Sequence, residues 1–70
     1  MADQWVKMTA KDVQPGDRVR LESGEEVIAS RVEMNFLGRE GLLAFIEDTP
    51  DRWYKRPAPQ DAPVEVLRAE

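Results

Sequence analysis

Over residues 14–34 the chain reads QPGDRVRLESGEEVIASRVEM, and no other stretch limits its folding so tightly. Pro15-Gly16-Asp17 has the chemistry of a type II turn. Proline sets φ at about −65° at the second position, and glycine accepts positive φ at the third. Residues 18–22 alternate polar and apolar, the period of a half-buried strand. Ser23-Gly24 reverses the chain, and residues 25–34 return as a second extended segment. Antiparallel β-structure follows from this pattern; catalysis does not.

The length of the reversal sets which side chains meet. A two-residue Ser23-Gly24 loop puts Glu22 opposite Glu25 and Val19 opposite Ile28. One face then carries Val19, Leu21, Ile28, Val32 and Met34. The other carries Arg20, Glu22, Glu25 and Arg31, with Val27 and Ala29 as apolar exceptions. A three-residue loop with a bulge at Gly24 or Glu25 brings Val27 inward instead. A slip of one residue turns the apolar set to solvent, and both registers stay open here.

The rest of the chain continues in short segments. Residues 5–8 read as a first strand, and Lys11-Asp12-Val13 as one helical turn or a loop. Two glycines bracket Arg39 and Glu40 in a second reversal over residues 36–41. Residues 42–46 are continuously apolar, which suits a central strand buried on both faces. Glu47, Asp48, Pro50 and Asp51 are poor strand formers and are expected to end it in a solvated turn. Residues 52–56 form another strand around Trp53-Tyr54. Three prolines make residues 57–63 a loosely held linker, and residues 64–67 are a last strand with Val64 and Val66 on one face.

Seventy residues make one domain, spanning 1–70. A core of that size contributes about 3–5 kcal/mol net and leaves little room for unsatisfied polar groups. The chain has no Cys and no His. Disulfides, thiolate metal sites, thiol nucleophiles and the commonest general base are therefore excluded. Ser23 and Ser30 have no histidine to activate them. Gly38 and Gly41 lack the strand, helix and Lys-Ser/Thr of a phosphate loop. No apolar run approaches the ~18 residues that span a bilayer, and the first residues lack the pattern of a signal peptide. The expectation is a cytoplasmic protein that is not an enzyme and carries no cofactor or metal.

Five or six short strands in this length suggest an all-β antiparallel barrel, because closing the sheet buries its apolar face and removes exposed edges. The stretch PGDRVRLESGEEVIASRVE resembles the opening of Src-homology-3-like and Tudor-like small barrels. There a Pro-Gly-Asp turn leads into a strand, a reversal and a long bent strand. Trp53-Tyr54, a Pro-containing linker and a short Val-x-Val strand fit the same plan. The chain is also similar to a small bacterial family to which no activity is attached. What the resemblance implies is a five- to six-stranded SH3-like barrel, and nothing about chemistry.

Two clusters carry candidate sites. Glu47, Asp48 and Asp51 offer oxygen ligands but not the spacing of a calcium loop, so no metal is expected. Arg52-Trp53-Tyr54-Lys55-Arg56 is the stronger cluster. Adjacent strand residues point to opposite faces, so one ring belongs to the core. Trp53 is assigned inward and Tyr54 outward, with the reverse order as the alternative. An exposed ring flanked by cations stacks on a base or on a proline-rich peptide. Phe36 and Leu37 sit at a loop tip, as a staple onto the core or a patch for a partner. Trp5 is expected to pack across the barrel mouth. Together Phe36, Leu37, Arg39, Arg52, Trp53, Tyr54, Lys55 and Arg56 form the expected partner-binding face.

Ten basic and fourteen acidic residues give a net charge of −4. Binding to phosphate backbones favours a basic domain, so nucleic acid is the weaker partner expectation. A protein-interaction module is preferred; a structural subunit that self-associates by its edge strands is the third reading.

Overall fold

The structure, a computed structural model, describes the backbone of residues 3–69 and the side chains of residues 4–68. Among the described residues seven strands form: β1 (Asp3–Thr9), β2 (Asp17–Leu21), β3 (Glu26–Ala29), β4 (Arg31–Met34), β5 (Leu42–Asp48), β6 (Trp53–Pro59) and β7 (Pro63–Ala69). Single 3₁₀ turns lie at Ala10–Asp12 and Phe36–Gly38. The strands make two antiparallel sheets, in the orders β1-β7-β2-β3 and β4-β5-β6. Between β3 and β4 only Ser30 intervenes, so one bent extended segment passes from the first sheet to the second.

The turn chemistry acts as the sequence predicts. Asp17 N donates to Gln14 O at 3.1 Å across Pro15 and Gly16, with Gly16 at φ +95°. In the β2–β3 hairpin, Gly24 N donates to Leu21 O at 2.9 Å and Leu21 N to Glu25 O at 2.8 Å. Glu22, Ser23 and Gly24 are therefore a three-residue loop, with Gly24 at φ +91°. This is the turn-plus-glycine form that twists with its strands. It decides the register: Val19 faces Val27, not Ile28. Val27 and Ala29 are buried, Ile28 turns to the opposite face, and Met34 is exposed.

One core lies between the sheets. Val19, Leu21, Val27, Ala29, Leu43, Phe45, Ala58, Val64 and Val66 meet there, joined by Ala10 and Val13. Residues 43–46 are buried on both faces of β5, as their unbroken apolar run requires.

Three expectations are corrected. The fold is all-β with two sheets and seven strands rather than a closed barrel of five or six. The segment expected to be a linker is strand up to Pro59, with its turn at residues 60–62. β6 is the last strand of its sheet, and proline is tolerated at such an edge. Gln60 N reaches Gly41 O at 2.8 Å, so by alternation Pro57 and Pro59 turn their nitrogens to the free side. They offer no N–H there to close a barrel seam. Third, β5 does not stop at Glu47: it runs through Asp48, and Glu47 is only 5% exposed.

Candidate functional site

The register of β5 with β6 sorts the expected binding residues. Glu47 faces Tyr54, Ile46 faces Lys55 and Phe45 faces Arg56. Phe45 belongs to the core, so Tyr54 and Arg56 share the core side of the sheet. Trp53 and Lys55 alternate onto its outer side. The aromatic assignment is thus reversed: Trp53 is 60% exposed, whereas Tyr54 packs against the core. The reason is the pairing partner. Tyr54 sits opposite an inward residue of β5, and the pleat sends its neighbours the other way.

On the core side, the cations hold the fold together. Arg52 Nε donates to Glu47 Oε2 at 2.8 Å, and Nη2 donates to Oε1 at 3.0 Å. The same Nη2 donates to the Glu26 carbonyl at 3.0 Å, while Glu47 Oε1 accepts from Ile28 N at 2.9 Å. Ile28 and Glu26 present these groups on the side of β3 that faces away from β2. The ion pair therefore stands where a further strand would be: its carboxylate replaces a C=O, its guanidinium an N–H. Arg52 also lies over the Tyr54 ring, 4.9 Å from the centroid. Its hydrogen bonds and the Ile28 amide hold the Glu47 carboxyl below the usual carboxylate range, against the opposing effect of burial.

Tyr54 Oη donates to Glu25 Oε2 at 2.7 Å. Arg56 Nε lies 3.3 Å from Glu25 Oε1, out of line for a hydrogen bond. Arg52, Tyr54 and Arg56 are thus engaged internally, and the eight residues do not form one face. Glu47 and Asp48 diverge to opposite sides of β5, so the acidic residues do not converge on a common point.

The outer side holds a smaller group. Lys55 Nζ lies 5.1 Å from the Phe36 ring centroid and 5.9 Å from that of Trp53. It also pairs with Glu33 Oε2 at 3.6 Å. Lys55 stands opposite Ile46, and Glu33 opposite Ala44. The pair bridges over β5, where Ala44 and Ile46 are buried although they lie outside the core cluster. Leu37 follows Phe36 at the loop tip and is 75% exposed at φ +58°. Arg39 is exposed at the same loop and makes no ion pair among the described residues. With Arg52, Tyr54 and Arg56 engaged internally, Phe36, Leu37, Arg39, Trp53 and Lys55 are what remains of the expected face.

Trp5 does not cap a barrel. It lies on the outer side of the first sheet with Arg20 over its ring, 4.1 Å from the centroid, and Arg20 Nη2 pairs with Glu65 at 3.0 Å. Sequence reasoning missed both this stack and the Glu47 clasp. The signal for the clasp was an acid adjoining a buried apolar run, which a solvated turn does not need.

Positive charge is almost entirely matched. Lys11, Arg18, Arg20, Arg31, Arg52, Lys55, Arg56 and Arg68 each lie within 4.0 Å of a carboxylate oxygen. Of the ten basic residues, only Lys7 and Arg39 are left without an ion pair among the described residues. Among these residues no helix is long and apolar enough to cross a membrane. No protein-family model matches the chain, and no curated protein or solved structure matches it either.

Proposed function

We propose that the chain is a non-catalytic protein-interaction module. It docks an apolar segment of a protein partner on the surface made by Phe36, Leu37, Trp53 and Lys55. The observation that carries this reading is Leu37. A left-handed conformation costs a bulky residue about 1–2 kcal/mol, and Leu37 gains no burial in return. Strain kept at an exposed apolar side chain points to a role outside the chain's own stability. Trp53 is the second large exposed apolar group in this region, and tryptophan is enriched among residues that dominate interfaces.

The matched charges argue against nucleic acid as the partner, since counterion release needs cations that are not already paired. The turn, strand and reversal over residues 15–25, which resemble the opening of Src-homology-3-like domains, support the module reading as an analogy only.

The test is capture of a partner, its purification and a titration against three chains. Leu37→Asn suits the left-handed position and removes the apolar group; Trp53→Ser removes the exposed ring. Each is expected to melt no lower than the parent by more than a few degrees and to bind about tenfold more weakly or worse. Equal binding by both variants rejects the proposed surface. Salt-sensitive binding to single-stranded RNA or duplex DNA by the parent chain would transfer the function to nucleic acid.

A further inference from the structure

The two sheets expose four strand edges, and three are protected. β6 carries Pro57 and Pro59 with their nitrogens on the free side. The β3 edge is occupied by the Glu47 and Arg52 side chains. β4 is only four residues long, and very short edges resist pairing. β1 differs. It runs seven residues without proline or bulge, and its Val6 is 39% exposed.

We propose that β1 pairs antiparallel with β1 of a second copy, about a two-fold axis through Val6, joining the two four-stranded sheets into one. The hydrogen-bonding phase of β1 fits this axis. Ala10 N donates to Ala62 O at 2.9 Å, and Thr9 faces Pro63, which has no N–H to exchange. Gln4, Val6 and Met8 therefore direct their backbone groups to β7, and Asp3, Trp5, Lys7 and Thr9 direct theirs to the free edge. An axis at Val6 pairs all seven residues. It makes Trp5 and Lys7 of the second copy a hydrogen-bonded pair, and Asp3 and Thr9 of the second copy another.

The side chains select the same register. Val64 and Val66 are buried opposite Met8 and Val6, so Trp5 and Lys7 share the outer face. The axis places Lys7, one of the two basic residues without an ion pair among the described residues, beside Trp5 of the second copy. That is a cation–π contact across the join. An axis at Lys7 would set the two lysines against each other. The Val6 side chains meet at the axis on the core side and cover each other's exposed surface. A charged partner strand would leave them wet, which favours a second copy as occupant.

The absence of cysteine makes the axis directly testable. Residues in a non-hydrogen-bonded pair have Cα atoms about 4.5 Å apart, within the ~4.4–6.8 Å range of disulfides. Val6→Cys is expected to oxidise to a covalent dimer under conditions in which Met34→Cys, exposed on β4, stays mostly reduced. In sedimentation equilibrium the parent chain is expected to rise with concentration from 8.0 kDa towards twice that mass. Lys7→Pro removes an N–H that the fold does not use, and is expected to stay monomeric with an unchanged circular dichroism spectrum. A parent chain that remains at monomer mass overturns the proposal. So does a dimer untouched by Lys7→Pro, which places the interface elsewhere. So does a monomer that binds only a different chain through β1. If Lys7→Pro does not fold, equal cross-linking of Val6→Cys and Met34→Cys overturns it.

Discussion

Truncating Glu47 to alanine should come close to unfolding the protein. The carboxylate accepts from Ile28 N and from two nitrogens of Arg52. Its removal leaves the Ile28 amide, on the inner edge of β3, without an acceptor, which costs about 1–3 kcal/mol. The Arg52 side chain is 46% exposed, so its freed guanidinium rehydrates, and the lost ion pair adds no more than about 1 kcal/mol. Arg52 also loses the support that aims it at the Glu26 carbonyl, worth about another 0.5–1 kcal/mol. The sum is roughly 1.5–5 kcal/mol. A domain of this size has only about 3–5 kcal/mol in total. With a urea slope of about 1 kcal/mol/M, the midpoint should fall by roughly 1.5 M or more in a melt followed by circular dichroism. Glu47→Gln keeps an acceptor for Ile28 and should lose about half as much. Hydrogen exchange at the Ile28 amide should rise to the global rate in the alanine variant. A loss below about 0.5 kcal/mol, the scatter of ordinary surface substitutions, would refute the idea that this pair completes the edge of β3.

Three further expectations follow from the same contacts. Because Arg52 and Ile28 lower the Glu47 carboxyl below its unfolded value of 4.5, its contribution is complete above that value. It is lost as pH falls through the lower folded value, so Glu47→Gln should flatten the acid limb of a stability profile; an unchanged acid limb contradicts this. Gly24→Ala should destabilise by about 1–2 kcal/mol, because alanine at φ +91° is strained although no atom blocks its Cβ; thermal melting measures it. Tyr54→Phe should lose about 1 kcal/mol with the 2.7 Å bond to Glu25, measured by urea titration, and should leave partner capture intact.

Short-range chemistry explains what could be read in advance. The turn at Pro15-Gly16 depends on two residues whose φ preferences are intrinsic, and it formed as expected. Residues 43–46 have no polar side to show water, so they became the buried middle of a sheet. Val64 and Val66 alternate with Glu65 and turn inward as that period demands. The binding surface was less legible. Residues 52–56 are contiguous in the chain, yet a pleated strand divides neighbours between two faces. Arg52, Tyr54 and Arg56 found acidic partners inside, and only Trp53 and Lys55 remained with Phe36 outside.

By itself the sequence determined that this chain is antiparallel β, where its first turn falls, and that thiol and imidazole chemistry are closed to it. Those properties reside in single residues or in a period of two. The structure decided the rest: Val27 inside instead of Ile28, Tyr54 inside instead of Trp53, Glu47 buried instead of solvated, two sheets instead of a closed barrel. Each depends on which strand comes to lie beside which. Glu47 becomes a substitute strand because β3, nineteen residues away at Ile28, leaves an N–H that no backbone reaches.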